Sequence, residues 1–175
     1  IDPIPDEAVY DTKLEATRAL FRPDMDVLEI GCGTGGTALK HAPVVRHIRA
    51  IDFSEAMLAK ARTQASAAGI TNVSFERADI VEMPAEPEHF DVVLALSVLH
   101  LLDDPDAAIR KIHAMLKPGG YFVSSTACIR SMLPGLRFIV PLGRAFGLLP
   151  VLNAMTVDQL VGKIKAGGFE IEHRW

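Results

Sequence analysis

Residues 29–36 combine one carboxylate with four glycines in the order Glu-Ile-Gly-Cys-Gly-Thr-Gly-Gly. Glycine adopts positive φ angles at little cost, and its missing side chain lets a ligand approach the backbone closely. If a helix follows such a turn, the first N–H groups of that helix are free to meet a ligand. The segment therefore predicts a nucleotide-binding turn, although the glycines do not by themselves select the nucleotide.

Two fingerprints fit this glycine turn. Gly31, Gly33 and Gly36 satisfy G-x-G-x-x-G, which is typical of dinucleotide-binding enzymes. If Gly35 replaces the last of these and the preceding glutamate is included, the segment reads E-x-G-x-G-x-G, the form found in methyltransferases. Asp52 closes the next strand-like run and could accept both hydroxyls of a ribose under either reading. An NAD(P)-dependent oxidoreductase is therefore one open alternative.

Other residues separate the two readings. Glu29 places a carboxylate where the dinucleotide fingerprint usually has an apolar residue, and a carboxylate favours a ligand that carries sulfonium and ammonium cations. Asp79 and Ile80 follow the third strand-like run, where a side-chain acceptor could bind an adenine amino group. The stretches 90–93 and 116–120 then follow in the order expected of a methyltransferase.

Short apolar runs alternate with helical stretches, which predicts parallel strands covered by helices. Ser54, Asp104 and Thr156 are expected to cap helices, the last of them in a T-x-x-Q capping box. We predict strands at 26–30, 47–52, 73–76, 90–96, 121–125 and 169–173. We predict helices at 6–21, from the glycine turn to about 41, at 55–68, from 105 through 116 to the break at 118–120, and from Thr156 to about 166.

Composition indicates one ordinary globular domain. The 175 residues are 49% apolar and 23% charged with a formal charge of −4, whereas a nucleic-acid-binding protein would show a basic excess. Cys32 and Cys128 are far apart without a CxxC pattern, so we expect neither a metal site nor a disulfide framework. Reduced thiols, the lack of a signal peptide and the lack of a long apolar run lead us to expect a cytoplasmic protein.

With these motifs in this order, the chain resembles class I S-adenosylmethionine-dependent methyltransferases, especially the small-molecule branch that includes the ubiquinone and menaquinone pathway enzymes. The matching stretches are 27–37, 51–58, 77–80, 90–104, 116–125 and 156–172. The resemblance implies an α/β fold, a Rossmann-like three-layer sandwich around a mostly parallel sheet. It also implies a helix before residue 6 and a last antiparallel strand after Trp175, and we expect both to be absent or truncated.

The resemblance implies one methyltransferase domain over residues 1–175. Within it, 24–126 form the cofactor-binding core, 127–153 form a substrate lid, and 154–175 form a C-terminal helix and strand. The implied reaction is in-line transfer of a methyl group from S-adenosyl-L-methionine to a small, lipophilic acceptor, with S-adenosyl-L-homocysteine as product. A methyltransferase-like binding protein that turns over no acceptor is a second open alternative.

The resemblance also assigns a cofactor-binding set. The set is Glu29, Gly31, Cys32, Gly33, Thr34, Gly35, Asp52, Phe53, Met57, Asp79, Ile80 and Ser97. Asp52 would hold the ribose hydroxyls, and Ser97 would lie near the methionine end. Phe53 and Met57 would lie beside the adenine unless they are core residues. Asp79 would bind the adenine amino group unless it only caps a turn, with the Ile80 N–H on the ring, and Cys32 could be no more than a small turn residue.

His100 is the residue near the end of the fourth strand that suits a general base, because its unperturbed pKa lies near neutrality. A general base is needed only if the acceptor must lose a proton, so a structural role for His100 is the alternative. Arg130, Arg137 and Arg144 recur every seven residues in an apolar stretch. They suggest a lid with a basic rim over a lipophilic, acidic acceptor, with contact to a membrane surface; the alternative is packing against the sheet or a second subunit.

Overall fold

The chain folds around a parallel β-sheet, as seen in a computed structural model that describes residues 7–126 and 155–174. Five helices of more than one turn accompany five strands in the described part. In chain order they are α1 (Glu7–Arg18), β1 (Asp26–Ile30), α2 (Gly36–His41), β2 (His47–Asp52), α3 (Glu55–Ala67), β3 (Val73–Arg77), β4 (Phe90–Leu96), α4 (Pro105–Met115), β5 (Leu116–Ser125) and α5 (Val157–Ala166). This arrangement confirms the expected α/β fold.

The sheet has the strand order β3-β2-β1-β4-β5, and every ladder between its strands is parallel. The chain therefore moves outward from β1 to β3 and then returns to the other side of β1 with β4. A crevice forms at such a reversal, beyond the carboxyl ends of the strands, and ligands of open α/β sheets bind there. The glycine turn follows β1 directly, so the fold places it at this reversal.

Apolar side chains cover both faces of the sheet, because successive residues of a strand point to opposite faces. Leu28 of β1 and Val93 of β4 pack with α4 on one face, whereas Val27 and Leu94 pack with α2 and α3 on the other. All four side chains are fully buried. The central strands are thus held rigidly between two layers of helices, which fixes the position of the residues at their carboxyl ends.

The three predicted helix caps are present. The Ser54 hydroxyl accepts a hydrogen bond from the Met57 N–H at 3.4 Å, and Asp104 Oδ1 accepts one from the Ala107 N–H at 2.8 Å. Thr156 and its partner three residues later form both hydrogen bonds of the capping box. Each cap satisfies an N–H group that would otherwise lack a partner at the helix start.

Three predictions of secondary structure are wrong. Helix α1 ends at Arg18 instead of continuing to residue 21. Leu116, expected on the buried stripe of α4, is the extended first residue of β5, so that strand begins before the glycines at 119–120 and contains an irregularity in its pairing with β4. Residues 169–173 form no strand, because they have no ladder partner in the described part of the chain; the Phe169 ring packs on Phe122 instead.

The lid expected at 127–153, with Arg130, Arg137 and Arg144, lies outside the described residues. Helix α5 follows it and packs on α4, where Lys163 Nζ donates a hydrogen bond to Asp106 Oδ2 at 2.5 Å. No helix in the described ranges is both long and apolar enough to span a membrane.

Candidate functional site

The glycine turn crosses from the end of β1 to the end of β2. The N–H groups of Gly31 and Cys32 both donate to the Ile51 carbonyl, at 2.8 and 3.0 Å, and the Gly35 N–H closes the turn on the Cys32 carbonyl at 2.9 Å. The φ angles of Gly31, Gly33 and Gly35 are +68°, +54° and +79°. Other residues rarely adopt such angles, so the backbone path itself requires the three glycines.

The three glycines face different surroundings. A Cβ atom on Gly31 would lie 2.7 Å from Val98 Cγ2, and one on Gly35 would lie 2.9 Å from the Phe75 ring. These two positions are glycine because neighbouring side chains occupy the space. A Cβ atom on Gly33 would meet nothing within 4 Å. Of these three glycines, Gly33 is therefore the one that faces open space. Val98 and Phe75 are packing partners that sequence reasoning did not find.

Asp52 ties the turn to the start of α3. Its Oδ2 atom accepts a hydrogen bond from the Gly33 N–H at 2.9 Å, and its Oδ1 atom accepts one from the Ser54 N–H at 2.8 Å. The side chain is 8% exposed. A carboxylate oxygen can accept more than one hydrogen bond. Asp52 can therefore be held by the backbone and still accept hydroxyl donors from a ligand.

Glu29 is buried at the base of the turn. Its side chain is 3% exposed, and its Oε2 atom has no hydrogen-bond partner among the described residues. Burial raises the pKa of this carboxyl to about 8. A buried carboxyl without a partner is costly, and a cationic group placed beside it would favour its ionised form. The ammonium and sulfonium of S-adenosylmethionine fit this position, so the residues present fit that cofactor.

Cys32 is not an activated nucleophile. Burial, followed by the negative charges of Glu29 and Asp52, raises the pKa of its thiol to about 12. The thiol is 7% exposed and forms a weak contact, at 3.9 Å, with the Gly33 carbonyl. Cys32 thus fills a tight space in the turn, beside the half-buried Thr34.

Apolar side chains are exposed at the carboxyl ends of β2 and β3. Phe53 is 76% exposed and Met57 is 42% exposed, so the structure does not place either in the core. Val81, which sequence reasoning missed, is 40% exposed after β3. Exposed large apolar residues at one sheet edge are suited to a flat apolar ring.

Asp79 and Ile80 lie in the turn after β3. Asp79 Oδ1 accepts a hydrogen bond from the Val81 N–H at 2.6 Å, so this side chain does cap the turn, while the residue remains exposed. The side chain of Ile80 is 1% exposed, and only its backbone could meet a ligand. Binding of an adenine amino group by Asp79 stays a prediction.

Ser97 and His100 follow β4. Ser97 has a φ of +59°, and its N–H donates to the Ser125 carbonyl at 2.6 Å. His100 is 8% exposed, its Nδ1 atom is buried without a described partner, and burial lowers its pKa. A lowered pKa keeps the imidazole neutral and able to accept a proton, yet its burial restricts the approach of an acceptor.

The opposite edge of the sheet carries a shallow cleft of about 310 Å³. Its lining includes Arg49 and Arg46, which are already paired with Glu76 and Asp26 respectively. The buried carboxyl of Glu29 and the open position at Gly33 lie at the carboxyl edge instead. No group of three His, Cys, Asp or Glu side chains in residues 11–126 and 155–174 could hold a metal ion.

Comparison with known proteins gives a consistent result. The family model described as "Methyltransferase domain" matches residues 21–158. The chain is similar to the ubiquinone biosynthesis O-methyltransferase of Marinobacter nauticus, with 38% identity over 106 residues, and to the ubiquinone/menaquinone biosynthesis C-methyltransferase UbiE of Shewanella frigidimarina, with 35% identity over 106 residues. These matches cover 57% and 58% of this chain but only 42% of each relative, so the chain spans less than half of their length.

A solved structure agrees with these relatives. The S-adenosylmethionine-dependent methyltransferase of Mesorhizobium loti superposes with a TM-score of 0.78 at 27% identity, and the match covers 96% of this chain and 84% of that protein. The family model spans the glycine turn, Asp52 and the carboxyl ends of the five strands. This chain therefore belongs to the methyltransferase domain family, as a class I S-adenosylmethionine-dependent member.

Proposed function

We propose that this protein transfers a methyl group from S-adenosyl-L-methionine to a small, lipophilic acceptor. The observation that carries the proposal is the buried Glu29 carboxyl, whose Oε2 atom has no described hydrogen-bond partner and which directly precedes a glycine turn that is open at Gly33. A cationic ligand is the complement that this site lacks. An NAD(P) cofactor would not supply a sulfonium or an α-ammonium group there.

Each residue of the site would contact a different part of the cofactor. Asp52 would accept the ribose hydroxyls, and the exposed side chains of Phe53 and Met57 would cover the adenine. Glu29 would offset the positive charge at the methionine end. The bound cofactor supplies a methyl group already activated by a sulfonium, so the protein must mainly orient the acceptor and exclude water.

Proton removal is a separate question from methyl transfer. An acceptor that carries an ionisable hydroxyl would need a base, and His100 remains the candidate at the end of β4. We propose His100 for this role only if the acceptor loses a proton. Replacement by Gln should then lower kcat most below neutral pH for the hydroxyl acceptor, whereas a purely structural role would lower activity equally across pH.

A lipophilic acceptor is supported by two observations. The two similar proteins of Marinobacter and Shewanella are named for ubiquinone and menaquinone biosynthesis. Residues 127–153 are rich in apolar side chains and contain Arg130, Arg137 and Arg144 without an acidic residue. We propose that this stretch covers the acceptor and contacts a membrane surface. Replacing the three arginines by Ala should raise the KM for the acceptor and leave the affinity for S-adenosylhomocysteine unchanged; an unaltered KM would contradict this assignment.

A methyl-transfer assay tests the proposal. The protein would be incubated with S-adenosylmethionine labelled on the methyl group, together with a bacterial lipid extract and a panel of simple phenols. We expect label in the organic phase, and we expect Asp52→Ala to abolish its transfer. If S-adenosylhomocysteine binds but no labelled product appears with any acceptor, the alternative of a methyltransferase-like binding protein is supported and the proposal is wrong.

A further inference from the structure

The end of β5 lies beside the glycine turn at the same level of the sheet. Glu29 pairs with Leu94, so Gly31 stands opposite Leu96, which in turn pairs with Ser125. Neighbouring strands are about 4.8 Å apart. Gly31 and Ser125 are therefore separated by two strand spacings, roughly 10 Å, and the end of β4 lies between them.

An ammonium group from α1 reaches this position. Lys13 Nζ donates a hydrogen bond to Ser125 Oγ at 3.1 Å, across 112 residues of sequence. No carboxylate in residues 11–126 and 155–174 lies within 4.0 Å of Lys13 Nζ, whereas Lys117 and Lys163 both pair with aspartates. An ammonium group has three donors, and one neutral hydroxyl uses only one of them. Within these described side chains, Lys13 is thus a cation without an anionic partner at the carboxyl edge of the sheet.

Two further hydroxyl groups flank Ser125 along the chain, and both point to the other face of the sheet. Ser124 Oγ and Thr126 Oγ1 are buried, and neither has a hydrogen-bond partner in residues 11–126 and 155–174. Buried hydroxyls without partners destabilise a protein unless a ligand or water satisfies them. These two hydroxyls do not face Lys13, so Ser125 is the residue of this strand end that bonds its ammonium group.

A residue with a strained backbone, Ser97, lies between Gly31 and Ser125 in the sheet. Ser97 follows β4, the strand between β1 and β5, and its φ of +59° is unusual for a residue with a side chain. Its N–H donates to the carbonyl of Ser125, the residue whose hydroxyl binds Lys13. Strained residues persist where the surrounding structure holds them, and they concentrate at functional sites. The strained residue Ser97 and the ammonium group of Lys13 thus both donate hydrogen bonds to Ser125.

We propose that Lys13 is an acceptor-binding residue that pairs with an ionised acidic oxygen of the methyl acceptor. The inference rests on the proposed function and adds a substrate class to it, because the acceptor must carry an ionised group such as a carboxylate or phenolate. Ser125 holds the ammonium in place by accepting its hydrogen bond. An acidic group on the acceptor would then orient it at the carboxyl edge of the sheet, where β5 ends and the glycine turn follows β1.

The test compares two probes of nearly equal shape, 4-hydroxybenzoate and its neutral amide 4-hydroxybenzamide, titrated calorimetrically into protein saturated with S-adenosylhomocysteine. We expect the wild type to bind the benzoate about threefold to fivefold more tightly than the amide. Lys13→Met should remove this preference, and Lys13→Arg should retain part of it. Lys60→Met is the matched control, since it removes one charge from an exposed site on α3.

The result that overturns the inference is a wild type without preference for the benzoate, including one that binds neither probe, or a preference that Lys13→Met keeps. Binding of S-adenosylhomocysteine is measured first for every variant. If it fails in the wild type, the proposed function is wrong; if it holds while the benzoate preference is missing, only the role of Lys13 is wrong.

Discussion

The carboxylate of Asp52 accepts a hydrogen bond from the Gly33 N–H at 2.9 Å, and this contact joins the end of β2 to a glycine of the turn that faces open space. One residue therefore shapes the turn and presents acceptors to a ribose. A change at this side chain should therefore affect both the stability of the protein and the binding of the cofactor.

Asp52→Asn tests this double role. The amide group turns one acceptor into a donor, which would face either the Gly33 N–H or the Ser54 N–H. Loss of one buried hydrogen bond should destabilise the protein by about 1–3 kcal/mol and weaken S-adenosylhomocysteine binding at least about tenfold, an effect of roughly 1.4 kcal/mol. Urea unfolding and calorimetry would measure both. Asp103→Asn, at an exposed loop position, should change neither value.

Glu29 makes stability depend on pH. Burial raises its pKa from 4.5 to about 8, so the folded protein binds this proton more tightly than the unfolded chain does. The corresponding stability is complete below 4.5 and is lost as pH rises through about 8. The free energy of unfolding in urea should therefore decline across this pH range in the wild type. Glu29→Gln should lack this part of the decline. Equal pH dependence in the two proteins would refute the assignment.

Glu29 should also couple ligand binding to proton release. A cationic ligand beside the carboxyl favours its ionised form, so S-adenosylhomocysteine should displace about one proton near pH 7. Calorimetry in buffers of different ionisation enthalpy counts that proton. Glu29→Gln should release none, and a wild type that also releases none would mean that the ligand's ammonium does not approach Glu29.

Gly33→Ala separates backbone strain from ligand contact. Its φ of +54° should cost about 1–2 kcal/mol once a Cβ atom is present, although the space around it is open. Gly69, at the end of α3, has a φ of +66° and equally open surroundings. Gly69→Ala should therefore lose similar stability in urea unfolding. Only Gly33→Ala should also weaken S-adenosylhomocysteine binding; equal binding by both variants would remove Gly33 from the cofactor site.

Gly31→Ala should destabilise the protein more than Gly33→Ala does. Its Cβ atom would lie 2.7 Å from Val98 Cγ2, in addition to the positive φ. Overpacking of this kind typically costs a further 1–3 kcal/mol, roughly. The double variant with Val98→Ala should recover part of the loss, and no recovery in urea unfolding would show that the Val98 contact is not the cause.

The sequence predicted the local features of this fold well, because local chemistry determines them. The caps at Ser54 and Asp104 and the glycine turn each depend on a few neighbouring residues, and all three are confirmed. A strand at 169–173 was wrong because a strand needs a partner that apolar residues alone do not reveal. The pairing of Lys13 with Ser125 was not predictable either, since it joins residues 112 positions apart.

The same distinction holds inside the site. The types of Glu29 and Asp52 suggested their chemistry, but their burial depends on the helices that cover the sheet. Phe53 and Met57 could have been core residues, and only the packed structure shows their exposure at the sheet edge. The sequence left two roles open for Asp79, a turn cap and an adenine contact. The turn cap is present, and the adenine contact is still a prediction.

Calorimetric titration with S-adenosylhomocysteine and, separately, with NAD⁺ tests the central claim most directly. We expect S-adenosylhomocysteine to bind the wild type with one site per chain and Asp52→Ala to lose that binding, while NAD⁺ gives no heat of binding. Binding of NAD⁺ without binding of S-adenosylhomocysteine would contradict the account and assign the glycine turn to a dinucleotide.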